Sequence, residues 1–287
     1  GSDKQNFGQI KRHVQVMVRE GEILFRVEDL QERFPQEEVR QVTPRLYDEG
    51  VPEEGMLIVQ TAHYKLVFSA QQAWTIYSFE YDGKLIGPPS GFYGTVLVPT
   101  GGKWIGTGHT EGGREIVHSV KLLVDDVETP IAIGSTVQGH RVTLVKDSTI
   151  HKFRSKATIT VTDDEVVERQ QLEATEDMSL ELMYLFMHCW TSDSTRWYAE
   201  LADGSFTEGV FDGEGFELNR DSRWCAQYVP TMGLSILGYT PRIATGPRSQ
   251  TMLWDLPRYH KFYTRRTEGG ESFKAGDKLD YTMIVRG

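Results

Sequence analysis

The chain has 287 residues, with 41 acidic against 31 basic side chains and a formal charge of -10. That balance argues against nucleic acid as a partner, because phosphate binding needs clustered Lys and Arg, and it disfavours anionic membrane surfaces. No apolar run approaches the ~20 residues that a bilayer-spanning helix needs, and the opening residues show no secretory signal.

A hydrophobic fraction of 39% supports a sizeable core. Cys189 and Cys225 are too few for a disulfide framework and read as buried free thiols, with a single bridge as the alternative. They leave the compartment open.

Residues 1–55 form an N-terminal extension or edge strands. Val14, Val16 and Val18 alternate with polar residues as a strand does, and Glu28 to Phe34 suits a short helix ended by Pro35. Residues 56–287 read as one domain. Tyr64–Phe68 and Trp74–Phe79 are β-branched and aromatic runs of strand length. Asp82-Gly83 is a hairpin signal, because both central residues of a type I′ turn need positive φ. Further strands are expected over Gly94–Pro99, Val137–Val145, Ala157–Thr162, Val166–Leu172, Leu180–Trp190, Trp197–Leu201 and Phe206–Phe211. Residues 212–223 read as a loop. Pro230, Pro241, Pro247 and Pro257 punctuate a long irregular region. Tyr259–Arg265 and Leu279–Arg286 close the chain around a turn at Glu268-Gly269-Gly270. About fifteen or more strands with frequent turns imply an all-β protein, a large antiparallel β-sandwich bigger than an immunoglobulin domain.

Two stretches carry candidate chemistry. In Trp104–Leu122, two histidines, two glutamates and an arginine stand among glycines. His109 and Glu111 share one side of an extended chain, which suits an acid/base pair or two ligands of one metal. Arg114 is placed to hold a carboxylate. His118 falls on the face of Ile116, Val120 and Leu122, where a core histidine is the plain reading and a direct role the alternative. In Leu180–Trp190, alternation puts Met183, Leu185, Met187 and Cys189 on a core face and Tyr184, Phe186, His188 and Trp190 on the other. An aromatic face bearing a histidine suits a sugar, whose C–H faces stack on rings; burial between two sheets is the alternative. Lys146, His151, Lys152, Arg154 and Lys156 form a basic run, either a solvated strand face or a guide for an acidic saccharide.

The order of these features resembles the galactose mutarotase-like β-supersandwich over about residues 60–287. The hairpin Trp74–Leu85 with Asp82-Gly83 is similar to the opening of those domains. His109 and His188 resemble their two active-site histidines, and Tyr259–Val285 with Gly276-Asp277 is similar to their ending. The chain departs from the aldose epimerases in lacking a recognisable late glutamate base, and Cys189-Trp190 follows His188. The resemblance implies a carbohydrate-active protein, an epimerase- or lyase-like enzyme acting on a mono- or oligosaccharide. His109 and His188 would be acid and base, Glu111 would orient one of them, and Trp104, Arg114, Tyr184 and Trp190 would bind substrate. No cofactor is required, although a divalent metal with His109 and Glu111 among its ligands is a variant. The alternative is a non-catalytic carbohydrate-binding or assembly domain. The sequence does not set the oligomeric state.

Overall fold

The computed structural model describes residues 55–89, 94–106, 109–213, 215–241 and 249–287. The strand and helix expected before residue 55, and Pro247, lie outside them.

The described residues form 21 strands and one short 3₁₀ turn, with no α-helix among them. Strands β1 (Met56–Gln60), β2 (Tyr64–Ser69), β3 (Thr75–Tyr81), β4 (Lys84–Gly87) and β9 (Thr136–Gln138) make a five-stranded sheet. Its β3–β4 hairpin turns at Asp82 (φ 47°) and Gly83 (φ 69°), the two positive φ values a type I′ turn demands.

A ten-stranded sheet runs in the order β15 (Phe206–Val210), β14 (Arg196–Leu201), β17 (Ser222–Val229), β18 (Leu234–Tyr239), β21 (Lys278–Arg286), β12 (Val166–Ala174), β11 (Phe153–Thr162), β10 (Arg141–Ile150), β7 (Ile116–Val124) and β8 (Val127–Thr129). A six-stranded sheet runs β16 (Gly215–Arg220), β19 (Gln250–Leu256), β20 (Tyr259–Phe273), β13 (Met178–Thr191), β5 (Gly94–Pro99) and β6 (Ile105–Gly106). All pairings are antiparallel except β1 with β9.

The large sheets pack face to face. Leu144, Ile159 and Met283 from one, with Leu180, Leu185 and Phe262 from the other, belong to a single buried cluster. The five-stranded sheet shares that core through Leu57, Phe68 and Phe79, and the Phe79 ring meets Trp190 edge-on at 5.5 Å. It is also tied to the β11–β12 turn. Thr61 Oγ1 donates to the Thr162 carbonyl (3.0 Å), the Ala62 N–H to Asp163 (2.8 Å), and the Tyr64 hydroxyl to the Asp164 carbonyl (3.1 Å).

Three expectations are corrected. The presumed loop over 212–223 contains β16 and the start of β17, and the presumed irregular region contains β18 and β19. Pro230, Pro241 and Pro257 lie between these strands, where a missing N–H breaks no ladder. Gly269 and Gly270 (φ 83° and 110°) lie inside β20 as an irregularity in the pairing, not as the closing turn. That turn is at Lys274–Asp277, where the Asp277 N–H donates to the Lys274 carbonyl.

The largest difference is in β13. It carries one extra residue between Leu185 and His188, which pair with Thr264 and Phe262. The excess is absorbed at Phe186, whose φ is 52° although it is buried in a strand. Such a bulge reverses the alternation of everything beyond it. Tyr184, Met187 and Cys189 therefore face outward together, while Met183, Leu185, Phe186 and Trp190 enter the main core. The expected aromatic face of Tyr184, Phe186, His188 and Trp190 is split between the two sides.

Candidate functional site

On the outer face of the six-stranded sheet, strand alternation brings β13, β19 and β20 to one aromatic patch. Tyr184, Met187, Cys189, Met252, Tyr263 and Val96 form a second buried cluster, with Trp254 and Tyr259 packed on it. The Tyr184 and Tyr263 rings are 4.7 Å apart, and Trp254 Nε1 donates to the Tyr263 hydroxyl at 3.1 Å. Between Cys189 and Trp254 in the register stands Lys261. Its Nζ lies 5.4 Å from the Tyr184 ring centroid and 5.2 Å from that of Tyr263, within cation–π range. Burial holds the Lys261 pKa below the usual lysine value and pushes the Cys189 thiol up to about 12. Cys189 is thus a neutral thiol and no nucleophile at ordinary pH. Cys189 and Cys225 are both buried and free.

The β5–β6 hairpin lays Trp104 and His109 over this patch. Gly106 (φ 148°) makes the close approach possible: a Cβ there would sit 2.5 Å from the Thr95 carbonyl oxygen. Gly106 and His109 exchange backbone hydrogen bonds of 3.1 Å. The Trp104 indole stacks on the His109 ring at 5.3 Å and lies 6.1 Å from Tyr184. His109 Nε2 is 3.5 Å from the Tyr184 hydroxyl, and its Nδ1 is 3.6 Å from Glu111 Oε1. The Glu111 backbone N–H, and after it His109, hold the Glu111 carboxyl below its usual range. Trp104 and Glu111 are exposed at 38% and 54%, and Arg114 is exposed beyond them. Tyr184 is 3% exposed, so its ring supports this stack from below rather than meeting solvent.

His188 and Trp190 face the other way. His188 Nε2 is 2.6 Å from Glu168 Oε1, with both side chains buried between the sheets. The expected pairing of His109 with His188 across one substrate does not form, because the bulge at Phe186 puts His188 inside while Tyr184, under His109, stays outside. Trp190 packs against His188 at 4.9 Å within the core. His118 is also displaced. It is the surplus residue of a bulge in β7, left unpaired opposite Asp147 and Ser148 and exposed, where Nε2 lies 2.7 Å from Thr149 Oγ1.

Between the sheets lies a cavity of about 40 Å³ lined by Lys146, Glu115, Ser155, Glu168, Gln170 and His188 among others. Lys146 Nζ is 2.8 Å from Glu115 and donates to the Ala73 carbonyl at 2.8 Å; Ser148 donates to Glu115 at 2.6 Å and Gln170 to Ser155 at 2.7 Å. These charged and polar groups meet apolar side chains such as Ile76, Leu144 and Phe186 in the same lining. From the basic run, Lys146 points in and Arg154 and Lys156 point out, as alternation requires.

Among the described residues, Asp212, Glu217 and Asp255 offer carboxylate oxygens within 4.8 Å of one another. Burial, and then Asp212 and Asp255, raise the Glu217 pKa, while Trp197 Nε1 donates to it at 2.8 Å. These three are better placed for a cation than His109 and Glu111, which supply two groups on an exposed turn.

The sequence reading left Lys261 and Tyr263 unassigned. Their signal was the period-two run Tyr259, Lys261, Tyr263, which marks one face of a strand.

No protein-family model matches the chain, and no curated protein sequence matches it. Among solved structures, an α-galactosidase from Lactobacillus brevis is similar at a TM-score of 0.53 and 8% identity, over 81% of this chain and 39% of that one. The galactosidase domain of an α-galactosidase–sucrose kinase gives 0.53 and 7%, over 82% and 41%. A galactose mutarotase-like protein from Lactobacillus casei ATCC 334 gives 0.47 and 10%, over 81% and 99%. The chain spans about two fifths of the two galactosidase chains. The likeness is one of fold: a large antiparallel β-sandwich that resembles the galactose mutarotase-like type.

Proposed function

We propose that this chain is a carbohydrate-active protein that seats a saccharide on the outer face of the six-stranded sheet. The observation that supports this reading is the stack of Trp104 on His109 over Tyr184, with Lys261 beside it. An exposed indole offers its face to sugar C–H groups, and the adjoining imidazole, carboxylate and ammonium supply directed polar contacts. Arg114 extends that polar rim. The similarly folded α-galactosidase and galactosidase domain favour the same ligand class.

As an enzyme, the protein would move a proton to or from the saccharide, as in epimerisation or β-elimination. His109 is the general base or acid, and Glu111 orients it. Proton transfer of this kind typically contributes about 100- to 10,000-fold. His188 and Trp190 act from inside, by holding β13 in its bulged register. Their placement favours a second reading, a saccharide-binding domain without catalysis, because the second proton-transfer group expected at His188 is on the other side of the sheet.

A panel of mono- and oligosaccharides tested by calorimetry and turnover separates these readings. Trp104→Ala is expected to abolish binding. His109→Ala is expected to retain binding and, for an enzyme, to lose turnover. If both variants bind as the parent does, the outer face is not the site.

A further inference from the structure

We infer that the outer face selects an acidic saccharide, and that Lys261 is the residue that recognises its carboxylate or sulfate group. The inference rests on the saccharide-binding reading of that face and adds the charge of the ligand.

Lys261 is half-buried in the middle of a sheet face, flanked by Cys189, Trp254, Tyr259 and Tyr263. Other lysines with ion pairs, such as Lys65, Lys121, Lys152 and Lys274, reach a carboxylate within 2.8–3.5 Å. The buried Lys146 does so as well. Lys261 has no carboxylate within ion-pairing distance among the described residues, and its Nζ lies against the Tyr184 and Tyr263 rings.

Burying a cation without an anion is costly, and two tyrosine faces offset only part of that cost. An apolar side chain of the same length would fill this place more favourably. The chain carries 41 acidic side chains, yet among the described residues none pairs with this cation. A cation kept without one against the Tyr184 ring, on which Trp104 also packs, is complementary to an anion that arrives with the ligand. A neutral sugar would leave the ammonium as desolvated as before. An acidic one would replace lost hydration with a charge-assisted hydrogen bond. The depressed Lys261 pKa agrees with this environment, and an arriving anion would raise it.

The test compares wild type, Lys261→Met and Lys261→Arg by calorimetry against uronate oligosaccharides, sulfated oligosaccharides and neutral oligosaccharides, at low and high salt. Lys261→Met is expected to weaken binding of the acidic ligand about ten- to hundredfold, the worth of a hydrogen bond to a charged group. It should weaken acidic ligands far more than neutral ones and raise the melting temperature, because the cation is held at a cost to folding. Lys261→Arg should keep the preference for acid. Whether uronate or sulfated ligands respond identifies the anion. Equal binding of neutral and acidic ligands, unaffected by Lys261→Met, would overturn the inference and leave the saccharide-binding reading intact. No binding of any saccharide would remove both.

Discussion

His188 Nε2 lies 2.6 Å from Glu168 Oε1, and this contact joins the six-stranded sheet to the ten-stranded one through the core. Both side chains are buried, so neither can recover hydration if the other is lost. His188→Leu or Glu168→Leu alone is expected to cost about 3–5 kcal/mol, because each leaves a buried polar or charged partner behind. The double Leu variant should cost less than the sum of the two. Urea unfolding of all three variants gives the comparison, and strict additivity would argue against the pair acting as a unit.

Phe186 offers a test with an unusual order. Its ring is 4% exposed and its φ is 52°, so replacement loses core packing but can relieve backbone strain. Removing a buried phenylalanine ring costs about 3–5 kcal/mol, and a left-handed non-glycine residue stores about 1–3 kcal/mol. Packing wins, so both Phe186→Ala and Phe186→Gly destabilise. Glycine alone recovers the strain, so Phe186→Gly should be the milder of the two, against the usual ranking in a strand. Denaturant midpoints decide the order.

Gly106→Ala would place a methyl group 2.5 Å from the Thr95 carbonyl oxygen and 2.9 Å from Val96 Cα. The β5–β6 hairpin must open, and with it the backbone pair that holds His109. Overpacking of this kind typically costs about 1–3 kcal/mol. Saccharide affinity is expected to fall because Trp104 and His109 leave their stack, and calorimetry alongside thermal unfolding reads both effects.

His140 and Asp163 give a pH dependence at the joint between the β11–β12 turn and the five-stranded sheet. The Asp163 hydrogen bond raises the His140 pKa, while the Ala62 N–H and then His140 lower the Asp163 pKa. The Asp163 contribution is present above 3.8 and is lost as pH falls through its lower folded-state value. The His140 contribution is present below 6.5 and is lost as pH rises through its higher folded-state value. Both are complete between pH 3.8 and 6.5, the two ordinary values. Both groups are solvated, so the expected readout is an NMR titration of His140 with its midpoint above 6.5, returning toward that value in Asp163→Asn.

Strand identity was legible wherever alternation and turn chemistry agreed. Asp82-Gly83 follows from a run of β-branched and aromatic residues meeting residues suited to a turn. The bulges were not legible, because one extra residue leaves no compositional trace yet reverses which side chains share a face. That single feature separates Tyr184 from His188 and sends the two expected histidines to different environments. The stretch Trp104–Leu122 divides for a related reason. Trp104 and His109 follow the β5–β6 hairpin to the outer face, Glu115 turns in to Lys146, and His118 turns out to Thr149. Pairs such as Glu168 with His188 join strands of different sheets, and no local spacing encodes that contact.

The extra residue in β13 also separates chain length from face at this point. Deleting Phe186 would leave a simply alternating strand that keeps Tyr184, Met187 and Cys189 outside and Met183, Leu185, His188 and Trp190 inside. Point replacements on the outer face leave that frame intact. Variation in ligand preference can therefore accumulate by exchanging side chains at Lys261, Tyr263 or Trp104. A single-codon gap at Phe186 would remove the bulge and its buried ring while leaving both faces of β13 as they are.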